Sequence, residues 1–134
     1  MKSTELSGGC LCGVVTYQIK CPVSNVTCCH CSQCRKQTGL YYAAVELSKS
    51  SLTISGTEHL SQYRASESAT REFCKVCGSA LFWHADESEN CHVIAGSIDM
   101  PSGLKTRKHI YCQDKGDFYE LPADGVKFSA WGDV

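Results

Sequence analysis

Eleven cysteines in 134 residues constrain this chain more than any other feature, because seven of them fall into three tight groups. The groups are Cys10-Leu11-Cys12, Cys29-His30-Cys31-Ser32-Gln33-Cys34 and Cys74-Lys75-Val76-Cys77. An odd number of cysteines, packed as Cys-x-Cys and Cys-x-x-Cys and preceded by no export signal in Met1 to Gly9, reads as metal ligation in a reducing compartment rather than as a disulfide framework. The expected location is therefore the cytoplasm. The fold has to bring thiolates together around ions.

The two pairs supply four thiolates, the number that closes a tetrahedral zinc site. Cys74-Lys75-Val76-Cys77-Gly78 has the form of a zinc knuckle, a tight turn whose thiolates face one ion at about 2.3 Å. Gly78 suits the turn exit, where positive φ costs glycine nothing, and Cys10-Leu11-Cys12-Gly13 is a tighter version of the same device. One ion held by Cys10, Cys12, Cys74 and Cys77 would tie the N-terminal segment to one about sixty positions later, closing a long loop. We expect this site to be structural.

Cys29, Cys31 and Cys34 supply only three thiolates, which leaves a zinc site with one position open. The fourth ligand could be His30, Cys28, water or a substrate. His30 lies between two ligands and is expected to point away from the ion. Cys28, Cys31 and Cys34 also space like part of a ferredoxin cluster, but Thr38-Gly39 stands where that pattern requires cysteine and proline. Three thiolates on a divalent ion make a weak Lewis acid with an affinity for a further soft ligand, so thiol chemistry fits better than hydrolysis. Coordination lowers a thiol's pKa and fixes its sulfur beside an electrophile. The trio reads as an open reaction centre or, if Cys28 or His30 completes it, as a second structural zinc.

The rest of the chain sets the frame. Lysine and arginine number 13 against 14 aspartates and glutamates, a formal charge of −1 that gives no general pull toward nucleic acid or anionic membrane. No stretch approaches the roughly 20 apolar residues of a membrane span. Short runs rich in β-branched and aromatic residues, at Val14–Ile19, Tyr41–Leu47, Leu52–Ile54, His59–Tyr63, Ala80–His84 and His92–Ile98, predict strands of a mainly β domain. Only Ser32–Thr38 reads as helix, with Ser32 as N-cap and Gly39 as stop. Asp86 to Asn90 reads as a solvated hairpin tip, and one domain is expected over residues 1–134.

Three segments together resemble a known family: Gly9-Cys10-Leu11-Cys12-Gly13, then Cys29-His30-Cys31-Ser32-Gln33-Cys34-Arg35-Lys36-Gln37-Thr38-Gly39, then Arg71-Glu72-Phe73-Cys74-Lys75-Val76-Cys77-Gly78-Ser79. In that order they are similar to the glutathione-dependent formaldehyde-activating enzymes, also called the centromere-protein-V-like family. Ala95-Gly96-Ser97-Ile98-Asp99 and His109-Ile110-Tyr111 look like its C-terminal half. The resemblance implies an Mss4-like, β-rich zinc-binding fold with one or two short helices and two zinc ions per chain. By the same analogy Cys10, Cys12, Cys74 and Cys77 hold the structural ion, Cys29, Cys31 and Cys34 hold the catalytic one, and Cys28 stands outside. It further implies a carbon–sulfur lyase joining formaldehyde to glutathione as S-(hydroxymethyl)glutathione, with a glutathione-like thiol and an aldehyde as its small-molecule partners.

Arg35, Lys36 and Arg71 are candidate partners for the peptide's carboxylates, each otherwise an exposed charge, and Asp99 and His109 are candidate proton relays. Cys21, Cys28, Cys91 and Cys112 are expected to pack as small hydrophobes. His59, His84, His92, Trp83 and Trp131 are expected in packing or surface roles. Two other readings compete: a non-catalytic zinc module that binds protein or nucleic acid, and a redox switch using Cys28 beside the trio.

Overall fold

The computed structural model describes residues 5–131 as eleven strands and one α-helix. β1 (Leu6–Gly9), β2 (Thr16–Ile19) and β5 (Leu52–Ser55) form an antiparallel three-stranded sheet in the order β1-β2-β5. The larger sheet has eight strands in the order β11-β10-β3-β4-β9-β8-β7-β6. These are β3 (Asn25–Cys29), β4 (Tyr42–Ser48), β6 (Leu60–Arg64), β7 (Ala69–Cys74), β8 (Ala80–Ala85), β9 (Asn90–Ile94), β10 (Lys105–Ile110) and β11 (Val126–Lys127). All pairings in it are antiparallel except β10, which runs parallel to both β3 and β11. α1 (Ser32–Thr38) fills the connection between β3 and β4.

Side chains alternate across a strand, so each strand of the larger sheet serves two environments. Val26 and Cys28 of β3, Val45 and Leu47 of β4, and Cys91 and Val93 of β9 join Tyr17 and Ile19 of the small sheet in one buried core. Tyr17 meets Phe82 edge-on with ring centroids 5.5 Å apart and bonds Ser97 Oγ through its hydroxyl at 2.5 Å. Gly8 lies against that phenol, where a Cβ would collide with Tyr17 and with the Ser97 carbonyl. The close approach lets β1 bridge to Ile98 and ties the small sheet to the turn after β9. The opposite face of the larger sheet carries Thr27 and Cys29, Tyr42, Ala44 and Glu46, Arg71, Trp83 and His92, all lining one cavity.

The mainly β architecture agrees with the sequence expectation, and the helix spans the residues assigned to it. Its cap differs: Cys31, not Ser32, is the N-cap, because its Sγ accepts the N–H of Cys34 at 3.3 Å. Gly39 ends the helix in the left-handed region at φ 91°, donating its N–H to Arg35 O. The run His92–Ile98 leaves the sheet at Ile94 and closes in a 3₁₀ turn over Ala95–Ser97. Strands β1, β3, β7, β10 and β11 had no counterpart in the sequence reading. The acidic stretch after Ala85 does form the turn between β8 and β9.

Candidate functional site

The first cysteine group is assembled by two turns. Cys10 and Cys12 follow β1, Cys74 ends β7, and Cys77 sits in the turn to β8. The four sulfurs lie within 4.8 Å of one another, with Cys10 to Cys12 at 3.7 Å and Cys12 to Cys74 at 3.8 Å. Zinc–sulfur bonds of about 2.3 Å at tetrahedral angles separate sulfurs by about 3.8 Å, so this donor set fits a zinc ion. Gly13 and Gly78 leave the two turns at φ 86° and 84°, as their positions after the cysteines predict.

Backbone N–H groups point at these sulfurs, from Val15 to Cys10 at 3.4 Å and from Val76 and Cys77 to Cys74 at 3.3 and 3.4 Å. At Cys10 the Val15 N–H helps hold the thiol below its ordinary range, against the effect of burial. The Ser79 hydroxyl lies 3.2 Å from Cys77 Sγ, and the bonds from that hydroxyl and the Ser79 amide hold the Cys77 thiol down to about 5. None of the four cysteines lines the cavity.

The trio is built differently. Cys29 is the last residue of β3, Cys31 caps α1, and Cys34 lies in the first turn of α1. Their sulfurs also fall within 4.8 Å of one another, and all three residues line the cavity, whose volume is about 720 Å³. Strand alternation explains the choice of cysteines: Cys28 faces the core at 3 % exposure while Cys29 faces the cavity. Among the described residues the groups able to hold a metal are these two, and neither Cys28 nor His30 belongs to either.

Two side chains support the trio. Arg71, from β7, was read in the sequence as a carboxylate partner or an exposed charge. It is buried at 4 % exposure and donates through Nη2 to Cys34 Sγ at 3.3 Å. Its Nε and Nη2 also donate to Gln33 Oε1 at 3.2 and 2.8 Å, and the guanidinium lies over the Tyr42 ring, 5.1 Å from the centroid. Cys34 is drawn down to about 6 by a hydrogen bond from Cys29 and by Arg71, against the effect of its burial. Cys29 moves the other way, raised by sharing that bond and by burial.

His30 turns its back on the trio, as its position between two ligands suggested. It has no exposed surface and bonds Tyr119 Oη through Nδ1 at 2.7 Å and His109 Nδ1 through Nε2 at 2.9 Å. The chain of bonds has one polarity. His109 Nε2–H donates to the Asp124 carbonyl at 3.0 Å, so His109 Nδ1 accepts from His30 Nε2–H, and Tyr119 donates to His30 Nδ1. Burial, with help from His109 and Lys115, pushes His30 down to about 4.

His109 is thus brought to the rear of the metal loop, not to its open side, and Asp99 lies exposed beside β1. Lys36 is exposed, and neither it nor Arg35 lines the cavity. Tyr42 and Lys108, which the sequence did not single out as site residues, also line the cavity. Trp83, His92 and Trp131, expected in packing or surface roles, are cavity walls, and burial keeps His92 below the usual histidine range.

Residues 5–114 match the family model described as glutathione-dependent formaldehyde-activating enzyme. The chain belongs to that family. A Halomonas elongata protein whose name assigns it provisionally to the same activity is 34 % identical, with 87 % of this chain and 80 % of that one aligned. An uncharacterised lyase of Schizosaccharomyces pombe is 29 % identical over 87 % of this chain and 85 % of its own. The crystal structure of a Rhodobacter sphaeroides protein superposes with a TM-score of 0.60 at 24 % identity, over 70 % of this chain and 88 % of that one, and shares the fold. Among the described residues no helix is long and apolar enough to cross a membrane.

Proposed function

We propose that the chain, as one zinc-binding domain over residues 1–134, is a zinc-dependent carbon–sulfur lyase acting on thiol–aldehyde adducts. The favoured reaction is formation or cleavage of S-(hydroxymethyl)glutathione from glutathione and formaldehyde. One observation carries this reading: among the described residues two cysteine groups could hold a metal ion, and the three-cysteine one lines a ligand-sized cavity that the four-cysteine one does not. Cys10, Cys12, Cys74 and Cys77 would hold a structural ion, and Cys29, Cys31 and Cys34 a catalytic one. Zinc at the trio, when bound, would lower the pKa of an incoming thiol and hold its sulfur beside the aldehyde carbon.

The chain's own residues do the rest. The cavity would accommodate the peptide, with Trp83 and Tyr42 as its walls beside the trio. Arg71 is the only one of the three sequence-nominated cations that lines it, and its guanidinium is engaged at the trio, whereas Lys108 offers a positive charge to a substrate carboxylate. Unpaired cysteines throughout the described residues fit a reducing compartment, the cytoplasm.

The test is turnover of glutathione and formaldehyde above the spontaneous rate, with zinc counted per chain. Cys31→Ser is expected to abolish turnover and leave about one zinc bound, with an unchanged circular dichroism spectrum. Retained turnover in that variant overturns the reading.

A further inference from the structure

Among the described residues three buried side-chain polar atoms lack a hydrogen-bond partner: Arg35 Nε, Arg71 Nη1 and the Tyr42 hydroxyl. Arg71 and Tyr42 both line the cavity at the trio, and they are 4 % and 6 % exposed. Buried polar groups in folded proteins are almost always satisfied, and two unsatisfied ones against the same sulfur cluster require an explanation.

The other donors of Arg71 are engaged by Gln33 Oε1 and Cys34 Sγ, which fixes the plane of the guanidinium and hence the direction of Nη1. Tyr42 packs against Cys34 and under the same guanidinium. Arginine can only donate, and a phenol facing it has a hydrogen free to give. The missing partner is therefore an acceptor, and both donors belong to side chains packed on Cys34, where the trio would hold the reacting sulfur. In thiol–aldehyde chemistry the atom that gains negative charge is the aldehyde oxygen.

We propose that Arg71 Nη1 and Tyr42 Oη form the oxygen subsite of the reaction, donating to the alkoxide that exists as the carbon–sulfur bond forms or breaks. This rests on the trio being the reaction centre. In the forward direction the thiolate pair forms the C–S bond, the C=O π pair moves onto oxygen, and the alkoxide takes a proton from water. In reverse the hydroxyl proton returns to water, the oxygen pair re-forms C=O, and the C–S pair returns to sulfur. Donors fixed before charge develops stabilise the transition state more than the ground state.

Tyr42→Phe separates this role from a structural one. An unsatisfied buried hydroxyl stabilises nothing, so its removal is expected to leave two zinc ions per chain and a melting temperature equal to or above that of the unmutated protein. Loss of one such donor is expected to lower kcat by about 100-fold with little change in KM for glutathione. Arg71→Lys, which keeps the charge and loses the planar fork, is expected to show a similar drop in kcat. Turnover of Tyr42→Phe within twofold of the unmutated protein overturns the subsite and leaves the proposed reaction standing. A drop accompanied by loss of the trio's zinc overturns it too, by showing a structural role. If the unmutated protein itself does not turn over the adduct, the reaction and the subsite fall together.

Discussion

At the residue scale, neighbours in sequence are sorted into opposite roles by strand parity. Cys28 and Cys29 are adjacent, yet one packs in the core and the other opens on the cavity. His30, one residue on, is sealed behind the loop, with consequences for acid stability. Its folded pKa of about 4 lies below the ordinary 6.5, so at neutral pH the ring is uncharged whether the chain is folded or not. Below about 6.5 only the unfolded chain takes up this proton, and stability falls until the folded pKa is passed. Chemical denaturation at pH 7 and pH 4.5 is expected to show His30→Gln losing less stability over that interval than the unmutated protein. An equal loss in both would place the acid sensitivity elsewhere. The cysteine groups were legible in the sequence because ligand spacing is local. Arg71 was not, since an isolated arginine announces its charge but not its burial, and burial here depends on Gln33 and Cys34 arriving from another element.

At the scale of elements, α1 and β7 work as one support. The helix presents Gln33 and Cys34 in its first turn, and both engage Arg71 from the strand. Gln33→Ala removes the acceptor shared by Nε and Nη2. It is expected to weaken zinc retention at the trio several-fold in a chelator competition while shifting the melting temperature by only about 4 °C, since the two partly exposed bonds together contribute about 1 kcal/mol. A melting shift with undiminished zinc retention would contradict that coupling. Helix α1 was readable from its turn and cap residues, although the true cap is the metal-site cysteine. β3 and β10 were not. β10 reads Lys-Thr-Arg-Lys-His-Ile, with too few apolar residues to announce a strand, and it is held by parallel pairing to β3 that no local pattern encodes.

For the whole molecule, the two metal groups differ in what they hold together. The four-cysteine group joins the turn after β1 to the turn after β7, thereby linking the small sheet to the larger one, with Cys74 fully buried. The trio sits on a single continuous stretch of chain. Stepwise chelation is therefore expected to remove the trio's ion first with the β-sheet spectrum intact, and the second ion only with cooperative unfolding. Simultaneous loss of both would show that the groups are not independent. Strand alternation and cysteine spacing carried the fold class and the membership of both cysteine clusters; the cavity was invisible beforehand because its walls come from seven separated elements.

The bonds behind His30 reach residues 79 and 89 positions further along the chain. During synthesis the three thiols of the metal loop therefore exist for a long interval without their backing. An ion bound then would be open to exchange, and free thiols to oxidation. That backing is complete once β10 pairs with β3 and Tyr119 bonds the ring of His30. The last third of the chain sets how long the first third stays chemically vulnerable.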